Sequence, residues 1–251
     1  MGGVVEHALE QLGGFSFLVA QTVREGFRRR PEGRVVMDQL YHLGVLSLGI
    51  STVTALFTGM VLALQTSYTL AAYGAKLFVG DVVSLSLVRE LGPVLTSLMV
   101  GGRVGAGITA EVGTMNVTEQ IDAIRAMAAS PVRKLVVPKV LAILIMLPVL
   151  VVLSDFIGVL GGLVMAVTTL NQPSAYYMQH VVKALSIHDV MSGLGKTVVF
   201  ALLISFIACY KGLTASGGAD GVGRATTETV VAASLSVLIS DFFLTKLFLA
   251  F

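Results

Sequence analysis

Leu87-Val-Arg-Glu-Leu-Gly-Pro-Val-Leu95, continuing through Gly101-Gly-Arg-Val-Gly-Ala-Gly-Ile-Thr-Ala-Glu111 to Glu119-Gln-Ile-Asp-Ala-Ile124, decides how this chain is read. Arg89, Glu90, Arg103 and Glu111 lie in an otherwise apolar, glycine-studded segment long enough to cross a bilayer, and a short amphipathic stretch follows it. A charge in hydrocarbon costs roughly 2.5–3.5 kcal/mol on insertion scales, so such residues mark function or pairing. Outward from this segment the composition agrees: 55% of residues are hydrophobic and 13% charged, with a mean hydropathy of +0.87. Soluble domains carry roughly 25% charged residues, so this is an integral membrane protein.

Five apolar segments, about 43–70, 82–113, 135–170, 189–210 and 226–250, each reach the ~20 residues a spanning helix needs. Pro93 and Pro148 are the expected kink points of the second and third, because each lacks an N–H and strains the preceding turn. The N-terminus lacks the basic start, short apolar core and small-residue cleavage site of a signal peptide, so the first span is expected to be retained. Basic residues divide unevenly between the two sets of connections. Arg24, Arg28, Arg29, Arg30, Arg34, Arg125, Arg133, Lys134, Lys139, Lys211 and Arg224 fall on one side, against Lys76, Lys183 and Lys246 on the other. Eleven against three places the N-terminus in the cytoplasm and, after five crossings, the C-terminal Phe251 on the far side.

Two amphipathic segments lie outside the spans. Val5, Leu9, Leu12, Phe15, Val19, Val23 and Phe27 recur at helical spacing, with polar residues between and arginines after. This predicts a helix over about 4–30 lying in the cytoplasmic interface, or packed on a partner. After the second span, Asn116 and Glu119 have the spacing of an N-cap and capping box, and Ser130-Pro131 closes the segment. The helix expected over about 117–129 puts Ile121, Ile124, Met127 and Ala128 on one stripe and Glu119, Asp122 and Arg125 on another. Joined rigidly to two spans, it suits docking into a groove of a soluble motor, or resting on the bilayer.

Other signals are weak. Gly193-Leu-Gly-Lys-Thr197 imitates the end of a phosphate loop, but Val190 stands where the first glycine is required and the stretch lies in a predicted span. The chain has one cysteine, Cys209, in an apolar run, which excludes an internal disulfide. His7, His42, His180 and His188 are dispersed, with no metal or nucleophile motif. Gly101/Gly105 and Gly158/Gly162 have small-xxx-small spacing, suited to packing within or between subunits. Residues 212–223 read as a glycine-rich cytoplasmic turn. Lys196 and Asp241 fall at similar depth in adjacent antiparallel spans, where pairing would relieve the cost of two lone charges. The basic residues are not clustered with aromatics and the formal net charge is +2, so no nucleic-acid footprint is present.

Leu87-Val-Arg-Glu-Leu-Gly-Pro, Gly102-Arg-Val-Gly-Ala-Gly-Ile-Thr-Ala-Glu-Val-Gly, Glu119-Gln-Ile-Asp-Ala-Ile, Gly59-Met-Val-Leu-Ala-Leu-Gln65 and Gly223-Arg-Ala-Thr-Thr-Glu-Thr-Val-Val resemble, in order and spacing, the MlaE permease family of bacterial lipid-transporting ABC systems. The resemblance covers nearly the whole chain and is strongest over about 83–140. It implies an all-α integral membrane protein forming a single permease domain over 1–251, with an interfacial N-terminal helix, a five-span membrane domain over about 43–250 and a cytoplasmic coupling helix. It further implies a homodimer in the inner membrane, a cytoplasmic ABC ATPase docked on Glu119, Gln120, Ile121, Asp122 and Ile124, a periplasmic MCE-domain ring and a STAS-domain protein. ATP and Mg would sit on that ATPase, no cofactor would be bound by this chain, and the substrate implied is glycerophospholipid moved between the two membranes.

On that reading Arg89 and Glu90, with Gln65, Tyr68 and Tyr73 near the mouth, form the candidate lipid pathway. Arg89 can serve a phosphate headgroup or pair with a neighbouring helix. Asp155, an acid in the third span, has no place in the family pattern. The alternative is a carrier not driven by ATP, or a membrane-embedded enzyme acting on lipids, although convergent nucleophiles and inverted repeats are both missing.

Overall fold

The computed structural model describes residues 2–28 and 33–250, so Arg29, Arg30 and Phe251 lie outside the described residues. The described residues are helical almost throughout. Helix α1 is Gly2–Arg28, α2 Gly33–Leu43, α3 Leu48–Ala71, α4 Val79–Ser86, α5 Gly92–Val100, α6 Ala106–Val117 and α7 Gln120–Ala126. After these come α8 Val137–Thr168, α9 Ser174–Ala184, α10 Ile187–Leu213 and α11 Gly218–Ala250. Five candidate spans, Gly33–Ala71, Val79–Val117, Val132–Thr168, Ile187–Leu213 and Gly218–Phe248, are long and apolar enough to cross a membrane. The chain is a multi-pass membrane protein.

Each span starts or ends beyond its apolar stretch, because polar ends continue the hydrogen-bond ladder once the apolar middle has nucleated it. This shortens the glycine-rich turn read over 212–223: α10 runs to Leu213 and α11 starts at Gly218. Lys139 likewise belongs to α8, where it is 2% exposed, rather than to a loop. Two amphipathic helices lie beyond those expected from the sequence, α2 before the first span and α9 between the third and fourth. The second span is not uniform. Leu87–Leu91 and Gly101–Gly105 are π-helical, each inserting one extra residue per turn into the ladder. Pro93 follows the first of these, and Pro148 lies inside an unbroken 32-residue α8.

The chain divides into two compact units, and each span contributes residues to both. The first unit comprises Met1–Val45, Val100–Ile145 and Ala201–Val237. Its core sets Ile108, Val112, Val136, Ile143, Ile204 and Ala208, all buried, around the second, third and fourth spans. Thr109 donates to the Ala208 carbonyl at 3.0 Å and shares a 2.8 Å hydrogen bond with Thr229, satisfying polar groups inside that core. Lys139 donates to Glu111 at 2.6 Å and to Gln39 at 3.2 Å, so the buried ammonium has a carboxylate partner. Gly101 and Gly105 face Ala233, Ile204 and Thr229 of the same chain, which assigns this small-residue pair to packing within the subunit.

Helix α1 also packs within this unit. Phe15 meets the rings of Phe206 and Tyr210 edge-on, and Leu18 and Thr22 are buried. Leu9, Leu12 and Phe17 point outward, 62–69% exposed, so the helix has an apolar face left over after its intramolecular contact.

The second unit comprises Leu46–Met99, Met146–Phe200 and Leu238–Phe251. Its core gathers Ala63, Val79, Val83, Leu87, Val159, Ala166 and Tyr177. Gly158 and Gly162 pack here on Leu87, Val83 and Tyr177, again within the subunit. Helix α9 closes the cluster with Tyr177 and Val181, and His180 lies 3.0 Å from both Asp81 oxygens. Asp155 turns its Oδ1 against Gly92, where no hydrogen-bond partner is present among the described residues.

Candidate functional site

In the second unit the π-helical turn Leu87–Leu91 aims two adjacent charges at two different partners. Arg89 meets Asp189 through Nε at 2.6 Å, with Nη2 on the same oxygen. The other oxygen, Oδ2, accepts the Ser186 backbone N–H and hydroxyl, both at 2.8 Å. The Asp189 N–H returns to Ser186 Oγ at 3.3 Å, so Ser186 and Asp189 form a capping box at the start of α10. A helix cap thereby presents an almost fully buried carboxylate to an arginine whose side chain remains 45% exposed. Because both Arg89 contacts fall on one Asp oxygen, the rest of the guanidinium is available to a second anion.

Glu90 points to Lys196, which is 1% exposed. Lys196 Nζ donates to Glu90 Oε2 at 2.6 Å, to Thr245 Oγ1 at 2.7 Å and to the Arg89 carbonyl at 3.0 Å. That carbonyl is open because Pro93, four residues on, has no N–H to give it. An ammonium has three N–H groups, and these three contacts use them all. Asp241 lies 3.2 Å away as an ion pair, and its Oδ1 has no hydrogen-bond partner among the described residues. Lys196 and Asp241 are thus brought together, but inside a larger group in which Glu90 is the nearer acid. Saturated in this way, Lys196 ties the second, fourth and fifth spans together and has no donor left for a phosphate.

The glycines of Gly193-Leu-Gly-Lys-Thr197 explain how Lys196 reaches that position. A Cβ on Gly193 would collide with the Val88 carbonyl, and one on Gly195 would press on Phe248 at 2.9 Å. The stretch is helical and lets α10 close on the π turn; it cradles no phosphate.

Arg89, Glu90, Asp189, Lys196 and Thr245 line a cavity of about 210 Å³ that also touches Phe248. Glu90 and Thr245 additionally border a wider recess with Leu238, Asp241, Phe242 and Lys246. Gln65 is placed elsewhere in the unit, in an apolar groove of about 440 Å³ with Val53, Phe57, Val61 and Leu91. Tyr68 and Tyr73 are 89% and 80% exposed, and the structure brings neither to Arg89. The pairing acid Asp189 is missed by sequence reasoning. Its one signal is the Ser186-x-x-Asp189 spacing at the head of a span.

The residues expected to couple to a motor lie in the first unit. Helix α7 is shorter than expected, seven residues instead of about 117–129. Asn116 does not cap it. Helix α6 runs through Val117, so Asn116 sits in its last turn and donates to the Ala215 carbonyl at 3.0 Å. Glu119 holds the N-cap position in a left-handed conformation, φ 60°, with no side-chain cap. Ile121 is buried and Ile124 half-buried, while Met127, 68% exposed, leaves the predicted apolar stripe because the helix has ended. Glu119, Gln120 and Asp122 are exposed, with Asp122 paired to Arg125 at 2.8 Å. Among the described residues no group of three His, Cys, Asp or Glu is placed to hold a metal.

Residues 36–247 match the family described as Permease MlaE. A probable ABC transporter permease protein of Rickettsia bellii is 43% identical over 239 residues, covering 95% of this chain and 92% of the relative. One from Synechocystis sp. is 42% identical over 231 residues, covering 92% and 88%. The intermembrane phospholipid transport system permease protein MlaE of Haemophilus influenzae is 39% identical over 214 residues, covering 85% and 82%. With a family match over most of its length and such relatives across nearly their whole chains, this protein belongs to the MlaE permease family.

Proposed function

We propose that this chain is the membrane-spanning, non-catalytic subunit of an ATP-driven ABC transporter that moves phospholipids between the inner and outer membranes and so maintains outer-membrane lipid asymmetry. The carrying observation is Arg89, a half-exposed guanidinium in the second span, fixed by a buried carboxylate and open to a cavity. A phosphate headgroup needs such a cation, and acyl chains need apolar surface such as the groove beside Gln65. The name of the H. influenzae relative supports the substrate class.

In this reading two copies form a homodimer in the inner membrane, N-termini cytoplasmic and C-termini periplasmic, with the lipid cavity at their axis. Helix α1 rests in the cytoplasmic interface on Leu9, Leu12 and Phe17. Helix α7 docks on a separate ABC ATPase, which carries ATP and Mg, through Glu119, Gln120 and Asp122, while Ile121 anchors it to the spans. An MCE-domain ring stands on the periplasmic side and a STAS-domain protein joins the ATPase. The test is purification from native membranes with identification of copurifying subunits, then reconstitution with labelled phospholipid. ATP-dependent lipid transfer that falls with Arg89→Ala is expected; transfer equal to wild type, or copurification without an ATPase, overturns the reading.

A further inference from the structure

The first unit holds a second polar cavity, of about 420 Å³, which shares no lining residue with the Arg89 cavity. Gln11 of α1, Tyr210 and Lys211 of α10, Ser216 of the connection, and Arg224 and Glu228 of α11 line it. Lys211 is only 23% exposed at its side chain and donates to Glu228 at 2.6 Å, while Glu228 is 59% exposed. An ion pair with so wet a partner is weak and can be opened by a competing anion. Arg224 has no carboxylate within 4 Å among the described residues, so the described lining residues Lys211, Arg224 and Glu228 carry one positive charge in excess.

Arg224 is exposed, and the backbone that carries it is anchored. Val222 and Ala225, on either side of it, are buried against Ala215. Gly217 turns the chain at φ +90°, and a Cβ there would lie 3.6 Å from Arg224 Nη2, so the arginine folds over the turn. Gln11 lies on the packed face of α1 with Phe15 and Leu18, while Leu9 and Leu12 are more than 60% exposed on its outward side, an apolar face that sets α1, and the cavity it borders, at the membrane surface in the proposed orientation. A soluble anion would use only the charge, whereas a lipid uses both surfaces.

We propose that the Lys211–Arg224 cavity binds the phosphate headgroup of an anionic lipid of the cytoplasmic leaflet, as a site distinct from the transport cavity. The inference rests on the proposed orientation, which puts these residues at the cytoplasmic surface. Bound lipid would hold α1, α10 and α11 together from the membrane side, a fixed neighbour rather than a transported molecule.

The test uses the purified complex and measures retention of phosphatidylglycerol, phosphatidylcholine with the same acyl chains, and inorganic phosphate, in wild type, R224Q and the charge-balanced double variant K211Q/E228Q. Retention of phosphatidylglycerol is expected to weaken roughly fivefold in R224Q, the contribution of one cation near an anionic surface, with phosphatidylcholine unchanged. The double variant keeps the local charge balance, so a loss there as well, with normal thermal stability, identifies the cavity and not net charge as the determinant. Equal retention in all three proteins overturns the proposal. So does phosphate bound as tightly as phosphatidylglycerol, which would make the site one for a free anion, and so does loss of ATPase copurification with lipid retention intact. A cysteine at Ser216 that is labelled from the periplasm in intact cells would overturn the orientation, and with it the proposed function, while leaving the binding measurement to stand or fall separately.

Discussion

Replacing Lys196 with methionine removes the cation that pairs with both Glu90 and Asp241 while keeping the length and much of the volume of the side chain. The ammonium is 1% exposed, Glu90 40% and Asp241 20% at their side chains. Breaking a buried pair by removing one partner costs about 3–5 kcal/mol, because the remaining charge stays uncompensated. Glu90 can turn partly to water, so the lower end applies, about 3 kcal/mol. Two further losses go the same way: the Arg89 carbonyl, already without Pro93 as a donor, becomes unpaired, and Thr245 loses its 2.7 Å contact. Adding Glu90→Gln and Asp241→Asn to Lys196→Met removes every uncompensated charge, and this triple variant should return to within about 1 kcal/mol of wild type. Reversible unfolding in mixed micelles, titrated with a denaturing detergent, measures both. A loss below about 1 kcal/mol for Lys196→Met, or a triple variant no more stable than the single one, would refute the view that this cluster is held by compensation of charge.

Exchanging the charges, Lys196→Asp with Asp241→Lys, should restore only part of the lipid transport lost in either single variant, since Glu90 then faces a second carboxylate at position 196 in place of its 2.6 Å partner; full recovery in a transport assay would contradict the closer Glu90 contact. Gly193→Leu should separate α10 from the π turn and destabilise by about 1–3 kcal/mol through overpacking against the Val88 carbonyl, and unchanged unfolding would show that the approach is not required. Glu119→Lys, on an exposed residue, should weaken ATPase copurification with little change in permease stability, whereas Asp122→Lys also breaks the Arg125 pair and costs a further ~0.3–0.5 kcal/mol. Pull-down of the ATPase at wild-type level by both variants would remove α7 as the docking element.

The spans themselves are written in local composition. About twenty apolar residues form a helix in lipid whatever their neighbours, because no other backbone arrangement within one segment pairs every N–H and C=O there. Intramembrane charges can likewise be singled out from sequence, because an ionised side chain in hydrocarbon carries its cost independently of the fold. Lys196 and Asp241 can even be matched by depth, since rise per residue is the same in every helix. Tertiary structure alone decided the rest. That Glu90 outranks Asp241 as the partner of Lys196 depends on a π turn that rotates Glu90 toward α10, and on Gly193 letting the backbones meet. That Arg89 has a partner at all depends on Asp189, one hundred residues away, which the structure shows to belong to a helix cap. Asn116 shows the converse. Its spacing to Glu119 fits a cap, but α6 is already hydrogen-bonded through that position, and the amide turns to Ala215 instead. Local spacing sets what a residue can do; which of those bonds it makes is settled by which helix arrives beside it, and that is a property of packing among segments far apart in the chain.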